Sequence, residues 1–202
     1  MTHTMTPAKW EEAYVKGLAH WTSSSAPSLF AKNFAVEVKD RKLTTVLEIG
    51  CGDCIDSIFF AKQGLKVTAV DVAPTAVALA QENVEKSGIT VDVQLANAEF
   101  LQFPSGSFAS VFSLSVLHAT MLEKSLAEVY RVLRSGGFAF IHLYANTQTR
   151  TGVVGGELSV DNYIKLLKTI GFIIWDFYTE EEKQFDQAGE KHRIFVAFLG
   201  RG

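Results

Sequence analysis

Cysteine is scarce in this chain: Cys51 and Cys54 are the only two among 202 residues. Two thiols cannot build a disulfide framework, so the expectation is a cytoplasmic protein with reduced cysteines, held together by its core. They also do not make a metal site on their own, and no metal is expected. Proline is rare as well, with four residues, which leaves long stretches free to form regular structure. A surplus of either charge is missing: 19 Lys and Arg against 22 Asp and Glu give a formal charge of −3. That near balance argues against a nucleic-acid partner, because neutralising phosphates needs an excess of cations. No apolar run approaches the roughly 18 residues that span a bilayer. Met1 to Pro7 has no apolar signal core, so neither membrane insertion nor export is expected.

What is present suffices for a packed core. Hydrophobic residues make up 48% of the chain and charged residues 20%, too apolar a balance for a disordered chain. At about 150 residues per domain the length favours one compact unit. Periodicity and glycine or proline punctuation predict helices over 8–16, 27–39, 55–63, 74–87 and 158–170, and one from Leu122 to a stop at Gly136-Gly137. Strands are expected at 43–49, 66–70, 90–95, 108–114, 138–144, 172–178 and 193–199, with Asn146 to Glu157 a flexible connection. Strands alternating with helices pair in parallel, because a parallel neighbour requires a crossover. The last two strands leave no room for a helix between them and should form an antiparallel hairpin. The expected fold is therefore α/β: a Rossmann-like, seven-stranded, mostly parallel sheet with a C-terminal antiparallel hairpin and helices on both faces. Such sheets bind ligands at the carboxyl ends of their strands, here after Ile49, Val70, Leu95, Leu114 and Tyr144.

Glu48-Ile49-Gly50-Cys51-Gly52-Asp53-Cys54 stands at the first strand-to-helix turn. Glycines there let a ligand approach the backbone, and the next helix presents free N–H groups. A dinucleotide fold would want a third glycine where Ile55 stands, which weakens a hydride-transfer reading. Asp71 closes the second strand, where a carboxylate can accept both hydroxyls of a ribose. Cys51 and Cys54 also form a C-x-x-C at a helix start, a pattern that lowers a thiol pKa in redox proteins. Their coincidence with the glycine loop favours a ligand-binding role over a redox one.

The ordered set of motifs resembles the class I S-adenosylmethionine-dependent methyltransferases. The glycine loop resembles their E/D-x-G-x-G-x-G, with Cys54 in place of the last glycine. Asp71, Asn97-Ala98-Glu99, Gly106-Ser107-Phe108-Ala109-Ser110-Val111 and Leu133-Arg134-Ser135-Gly136-Gly137 follow in the family's order, with Ala109 where Asp is usual and no proline in the last turn. The resemblance implies S-adenosyl-L-methionine as cofactor. It places Gly50, Cys51 and Gly52 against the amino-acid part, with Glu48 orienting the loop. Asp71 would hold the ribose, Val72, Asn97 and Ala98 the adenine, and Leu114 and Ser115 would lie beneath the methionine portion.

The N-terminal segment adds a finer resemblance. Trp10-Glu11-Glu12-Ala13-Tyr14, Gly17, Trp21 and Pro27-Ser28 are similar to the lead-in of the thiopurine, thiol/halide and tellurite-resistance methyltransferases. By that resemblance, 1–42 is a helical lid and 43–202 the methyltransferase domain. Trp10, Tyr14 and Trp21, with His192 from the hairpin, would line the acceptor pocket. The plainer alternative is that Trp10 and Tyr14, four residues apart, staple the helix to the domain.

His118, after the fourth strand, is the general-base candidate because imidazole titrates near neutrality, and Tyr144 points to the same edge. His142 reads as buried support, and Arg150 as either a contact for an anionic acceptor or a solvated loop charge. The expected activity is methyl transfer to a small molecule, a thiol or chalcogen compound being favoured. An O- or N-methyltransferase using His118 as base, and a cofactor-binding module without catalysis, remain as alternatives. No N/D-P-P-Y/F tetrad follows the fourth strand, which further disfavours a nucleic-acid acceptor, and the chain is expected to act as a monomer or homodimer.

Overall fold

The computed structural model describes residues 6–19, 26–149, 152–153, 159–181 and 190–202. The elements run α1 (Pro7–Val15), α2 (Leu29–Asp40), β1 (Thr45–Ile49), α3 (Ile55–Lys62), β2 (Lys66–Asp71), α4 (Pro74–Ser87), β3 (Asp92–Leu95) and β4 (Phe108–Leu114). A 3-10 turn at Leu117–Ala119 follows, then α5 (Leu122–Val132), β5 (Leu133–Thr149), β6 (Gly152–Val153), α6 (Val160–Ile170), β7 (Ile173–Glu181) and β8 (Glu190–Gly200). Local chemistry starts several helices. Hydroxyls of Thr6, Ser28 and Ser159 accept from Lys9, Ala31 and Asn162 at the first turns of α1, α2 and α6, satisfying donors that a helix leaves unpaired.

The sheet order is β3-β2-β1-β4-β5-β8-β7, with the two-residue β6 beside β5. The first five strands are parallel and β8 runs antiparallel to both β5 and β7, as the alternation in the sequence requires. Strand order reverses between β1 and β4, so the crevice lies beyond Ile49 and Leu114.

Side chains alternate across the sheet. Leu47, Val111 and Ile141 join Leu126, Val129, Tyr163 and Leu167 on one face. Val46, Phe112, Phe138 and Phe140 face the other way, against Ala31, Phe34 and Val38 of α2 and Phe60 of α3. Much of the Phe content is spent here: Phe34 stacks on Phe138 at 5.5 Å and Phe112 on Phe140 at 5.0 Å. Each fully buried Phe contributes about 1.5–3 kcal/mol. Thus α2, though it lies within the segment read as a lid, packs into the core, whereas α1 contains no fully buried residue.

Two expectations change at β5. The helix expected to run to Gly136-Gly137 ends at Val132, because Leu133 is taken into the sheet opposite Phe108 and is wholly buried. Part of the expected flexible connection is strand: Gln148 and Thr149 pair with Lys191 and Glu190 of β8 and with Val153 and Gly152 of β6. Both changes come from non-local pairing, which overrides local propensity. Among the described residues, no helix is long and apolar enough to cross a membrane.

Candidate cofactor and acceptor site

The loop after β1 is pinned to the end of β2. The backbone N–H groups of Gly50 and Cys51 both donate to the Val70 carbonyl, at 2.8 and 3.0 Å. Gly50 sits at φ +76°, and a Cβ there would fall 2.2 Å from Val116 Cγ2. Left-handed backbone and close approach together demand glycine. Cys54, standing where the motif has glycine, keeps the left-handed conformation at φ +66°, so the loop path survives the substitution. Both thiols are free and buried. A hydrogen bond with Cys54, reinforced by burial, pushes the Cys51 thiol up, and a protonated buried thiol is a poor nucleophile.

Asp71 joins the first two strand ends. Its Oδ2 accepts from Gly52 N and its Oδ1 from Ala73 N, both at 3.0 Å. The carboxyl is buried, which raises its pKa against the lowering effect of these N–H donors. Glu48 lies deeper and is pushed up by burial and by the charge of Asp56, while accepting from the Ser57 hydroxyl. Burial raises Asp53 to about 6. On the far side, Asn97 Oδ1 accepts from Glu99 N at 2.9 Å, Ala98 is buried and Val72 is half-buried. Glu99 Oε1 in turn accepts from Met121 N at 2.9 Å, tying this turn to the start of α5.

The ends of β4 and β5 meet across a second cluster. Ser115 is left-handed at φ +58°. Its N–H donates to the His142 carbonyl at 3.2 Å, and its Oγ lies 2.9 Å from His142 Nδ1. Phe30 of α2 meets the His142 ring edge-on at 5.0 Å. The His118 ring, in the 3-10 turn, lies 4.4 Å from Tyr144, and both residues are half-buried. Leu114, half-buried, closes β4 beside them. The structure therefore brings the two acceptor-side candidates together, with His142 as buried support behind Ser115.

Burial lowers the His142 pKa from 6.5 to about 4. As pH falls through 6.5 the unfolded chain takes up this proton and the folded chain does not, so stability is lost on acidification until about pH 4. Carboxyls such as Asp53 act in the opposite sense, and comparison with a variant lacking only His142 removes their contribution. In urea titrations, wild type should lose about 3 kcal/mol relative to His142→Asn between pH 7.5 and 4. Parallel pH profiles would show that His142 titrates normally.

On the N-terminal side, Trp10 and Tyr14 lie partly buried on α1. Glu11, between them, was not singled out by sequence, yet its carboxylate accepts from both the backbone N–H and the hydroxyl of Thr75 at the start of α4, at 2.9 and 2.5 Å. The legible hint was negative: Ala73 has no side chain to cap α4 and Pro74 has no N–H to donate. Ser28 and Asp56 form a similar tie, the serine N–H and hydroxyl donating to the carboxylate of α3 at 2.7 and 2.8 Å. Trp21 and Arg150 lie outside the described residues, as does the side chain of His192 on β8.

Residues 47–141 match the family model for a methyltransferase domain. This segment, just under half of the chain, is similar to methyltransferase domains. The domain is 30% identical over 153 residues to an S-adenosyl-L-methionine-dependent Diels-Alderase of Talaromyces variabilis, covering 63% of this chain and 52% of that protein. It is 30% identical over 119 residues to a ubiquinone biosynthesis O-methyltransferase of Methylocella silvestris, covering 55% and 45%. The chain spans about half the length of the curated relatives it matches. In fold it is similar to the [4+2]-cyclase SpnF, with a TM-score of 0.75 at 16% identity over 98% of both chains. A Haemonchus contortus phosphoethanolamine N-methyltransferase with bound S-adenosylhomocysteine has a TM-score of 0.65 at 19% identity, covering 84% of this chain and 52% of that one.

The Talaromyces relative is named for its dependence on S-adenosyl-L-methionine, and the Haemonchus enzyme holds the demethylated product of that cofactor. The residues present here fit that cofactor: the Gly50 surface carries no Cβ, and an acid stands at the β2 end. Asp71 accepts from backbone N–H groups of the loop and of the β2 end, and two carboxylate oxygens with about four lone-pair positions leave acceptor capacity for a diol.

Proposed function

We propose that this protein is an S-adenosyl-L-methionine-dependent methyltransferase whose acceptor is a small molecule, with a thiol or chalcogen compound favoured. The observation that carries the reading is the Asp71 clamp, which joins the glycine loop to the β2 end where a nucleoside would lie. In this reading Gly50, Cys51 and Gly52 face the amino-acid part, Asp71 the ribose, and Val72, Asn97 and Ala98 the adenine. The bound cofactor supplies a methyl group already activated on a sulfonium. The protein then has to align an acceptor and exclude water. His118 and Tyr144 form one wall of the acceptor space at the β4 and β5 ends. Trp10 and Tyr14 of α1 supply the lid that the finer thiopurine and tellurite-resistance resemblance describes. The lid is α1 itself, since α2 is integral to the core.

An ionised sulfur or selenium acceptor needs no base, whereas a hydroxyl does. His118→Ala should therefore change the rate with a thiol by no more than about threefold at a pH above the thiol's own pKa; general-base loss would cost roughly 10²–10⁴-fold. The test is transfer of labelled methyl from S-adenosyl-L-methionine across thiols, selenite, tellurite and small phenols. Turnover of phenols alone, with a large His118→Ala effect, would replace the chalcogen preference by O-methylation.

A second reading has a specific support, because a Diels-Alderase and a [4+2]-cyclase are among the proteins similar to this chain. The cofactor would then be held without losing its methyl group. Cofactor binding with no methylated product from any acceptor would favour it.

A further inference from the structure

We propose that Glu11 is a positioning residue that latches α1 over the bound nucleoside by capping α4. This rests on the cofactor reading above and extends it to a residue of the N-terminal lead-in to which that reading gave no role. The start of α4 is built without a cap of its own: Ala73 offers no side-chain acceptor, Pro74 has no N–H, and no acidic residue stands in its first turn. The next backbone N–H, that of Thr75, goes to Glu11 Oε2 at 2.9 Å, and the Thr75 hydroxyl goes to Oε1 at 2.5 Å. A carboxylate at this position satisfies an orphan donor and meets the positive end of the helix dipole. Because α1 contains no fully buried residue, apolar burial holds it only weakly, and two hydrogen bonds to one carboxylate carry correspondingly more of its docking.

The tie reaches the site through very few bonds. Thr75 follows Pro74 and Ala73; Ala73 N donates to Asp71 Oδ1, and Asp71 Oδ2 accepts from Gly52. The lid, the ribose-side acid and the glycine loop therefore share one hydrogen-bonded path. Glu11 is close enough for its charge to raise the Asp71 pKa. A ligand whose hydroxyls donate to Asp71 draws on the same path of bonds that docks α1. Docking of α1 and binding of a nucleoside then favour each other, as linkage requires.

The test uses the full chain with S-adenosylhomocysteine as probe, following Trp10, which neighbours Glu11 in sequence, by stopped-flow fluorescence. Glu11→Ala should raise the dissociation rate about tenfold or more while changing association by less than about threefold, the pattern expected of a latch. Thr75→Val should act in the same direction. The double variant should be no worse than the more affected single one, since both remove one interaction. Tryptic cleavage after Lys16 gives a second readout. The probe should slow it in wild type and fail to do so in Glu11→Ala, whose melting temperature should fall by no more than a few degrees, as loss of one cap requires. If wild type binds the probe and Glu11→Ala releases it within twofold of the wild-type rate, or if the two substitutions add, the latch is wrong and the cofactor reading stands. If wild type does not bind the probe, both fall.

Discussion

Asp71→Ala should abolish measurable S-adenosylhomocysteine binding in calorimetry while leaving a folded protein. The carboxylate holds Gly52 and Ala73 by their backbone N–H groups and is the acceptor available to a ribose. Hydrogen bonds to a charged group contribute about 1.5–3 kcal/mol each. Losing the pair to ribose hydroxyls, with some loosening of the loop, gives an affinity loss of roughly 10²–10³-fold or more. Asp71→Asn separates the two contributions. Its amide oxygen can still accept from one of the two N–H groups, but its NH₂ must turn toward the other donor. Its affinity should fall between wild type and Asp71→Ala. Binding by Asp71→Ala within threefold of wild type would place the nucleoside elsewhere and overturn the proposed site.

Gly50→Ala should have the second large effect, and on stability as well as binding. The added methyl would fall 2.2 Å from Val116 Cγ2 and 2.8 Å from Cγ1, far inside contact distance. The loop cannot swing away, because Gly50 and Cys51 both donate to Val70 O. A non-glycine residue in the left-handed region costs about 1–2 kcal/mol and overpacking typically about 1–3 kcal/mol. The sum predicts a loss of about 2–5 kcal/mol in chemical denaturation, together with loss of nucleoside binding. Trimming the neighbour checks the cause. Val116→Ala in the Gly50→Ala background should recover part of the stability, since the clash has one named partner. No recovery would assign the damage to backbone strain alone.

Legibility in the sequence followed the range of the interactions involved. The glycine loop, the Asp71 strand end and the limits of β4 were readable because each rests on neighbours within a few residues: β-branched or aromatic runs, glycine stops, an acid at a strand end. Cys54 shows where such reading is blind to conformation, since the chain keeps a glycine-like backbone there with a thiol. The extension of β5 to Leu133 and Thr149 was not readable, because β4, β6 and β8 supply its partners. Including α2 in a lid followed from the resemblance of the N-terminal segment, whereas Phe34 packs among Phe60, Phe112 and Phe138, which are far away along the chain.

Periodicity and punctuation fix which segments become helix or strand, because backbone hydrogen bonding and side-chain alternation act over short distances. That was enough to specify the α/β alternation and the antiparallel ending. Tertiary packing then set the partners of individual side chains. Glu11 reaches Thr75 and Ser28 reaches Asp56 across 64 and 28 residues, Ser115 meets His142, and His118 lies against Tyr144. No local signal encodes such pairs. They exist because the sheet order carries the ends of β2, β4 and β5 to one edge, and a hydrogen bond forms only once its two ends are within about 3 Å.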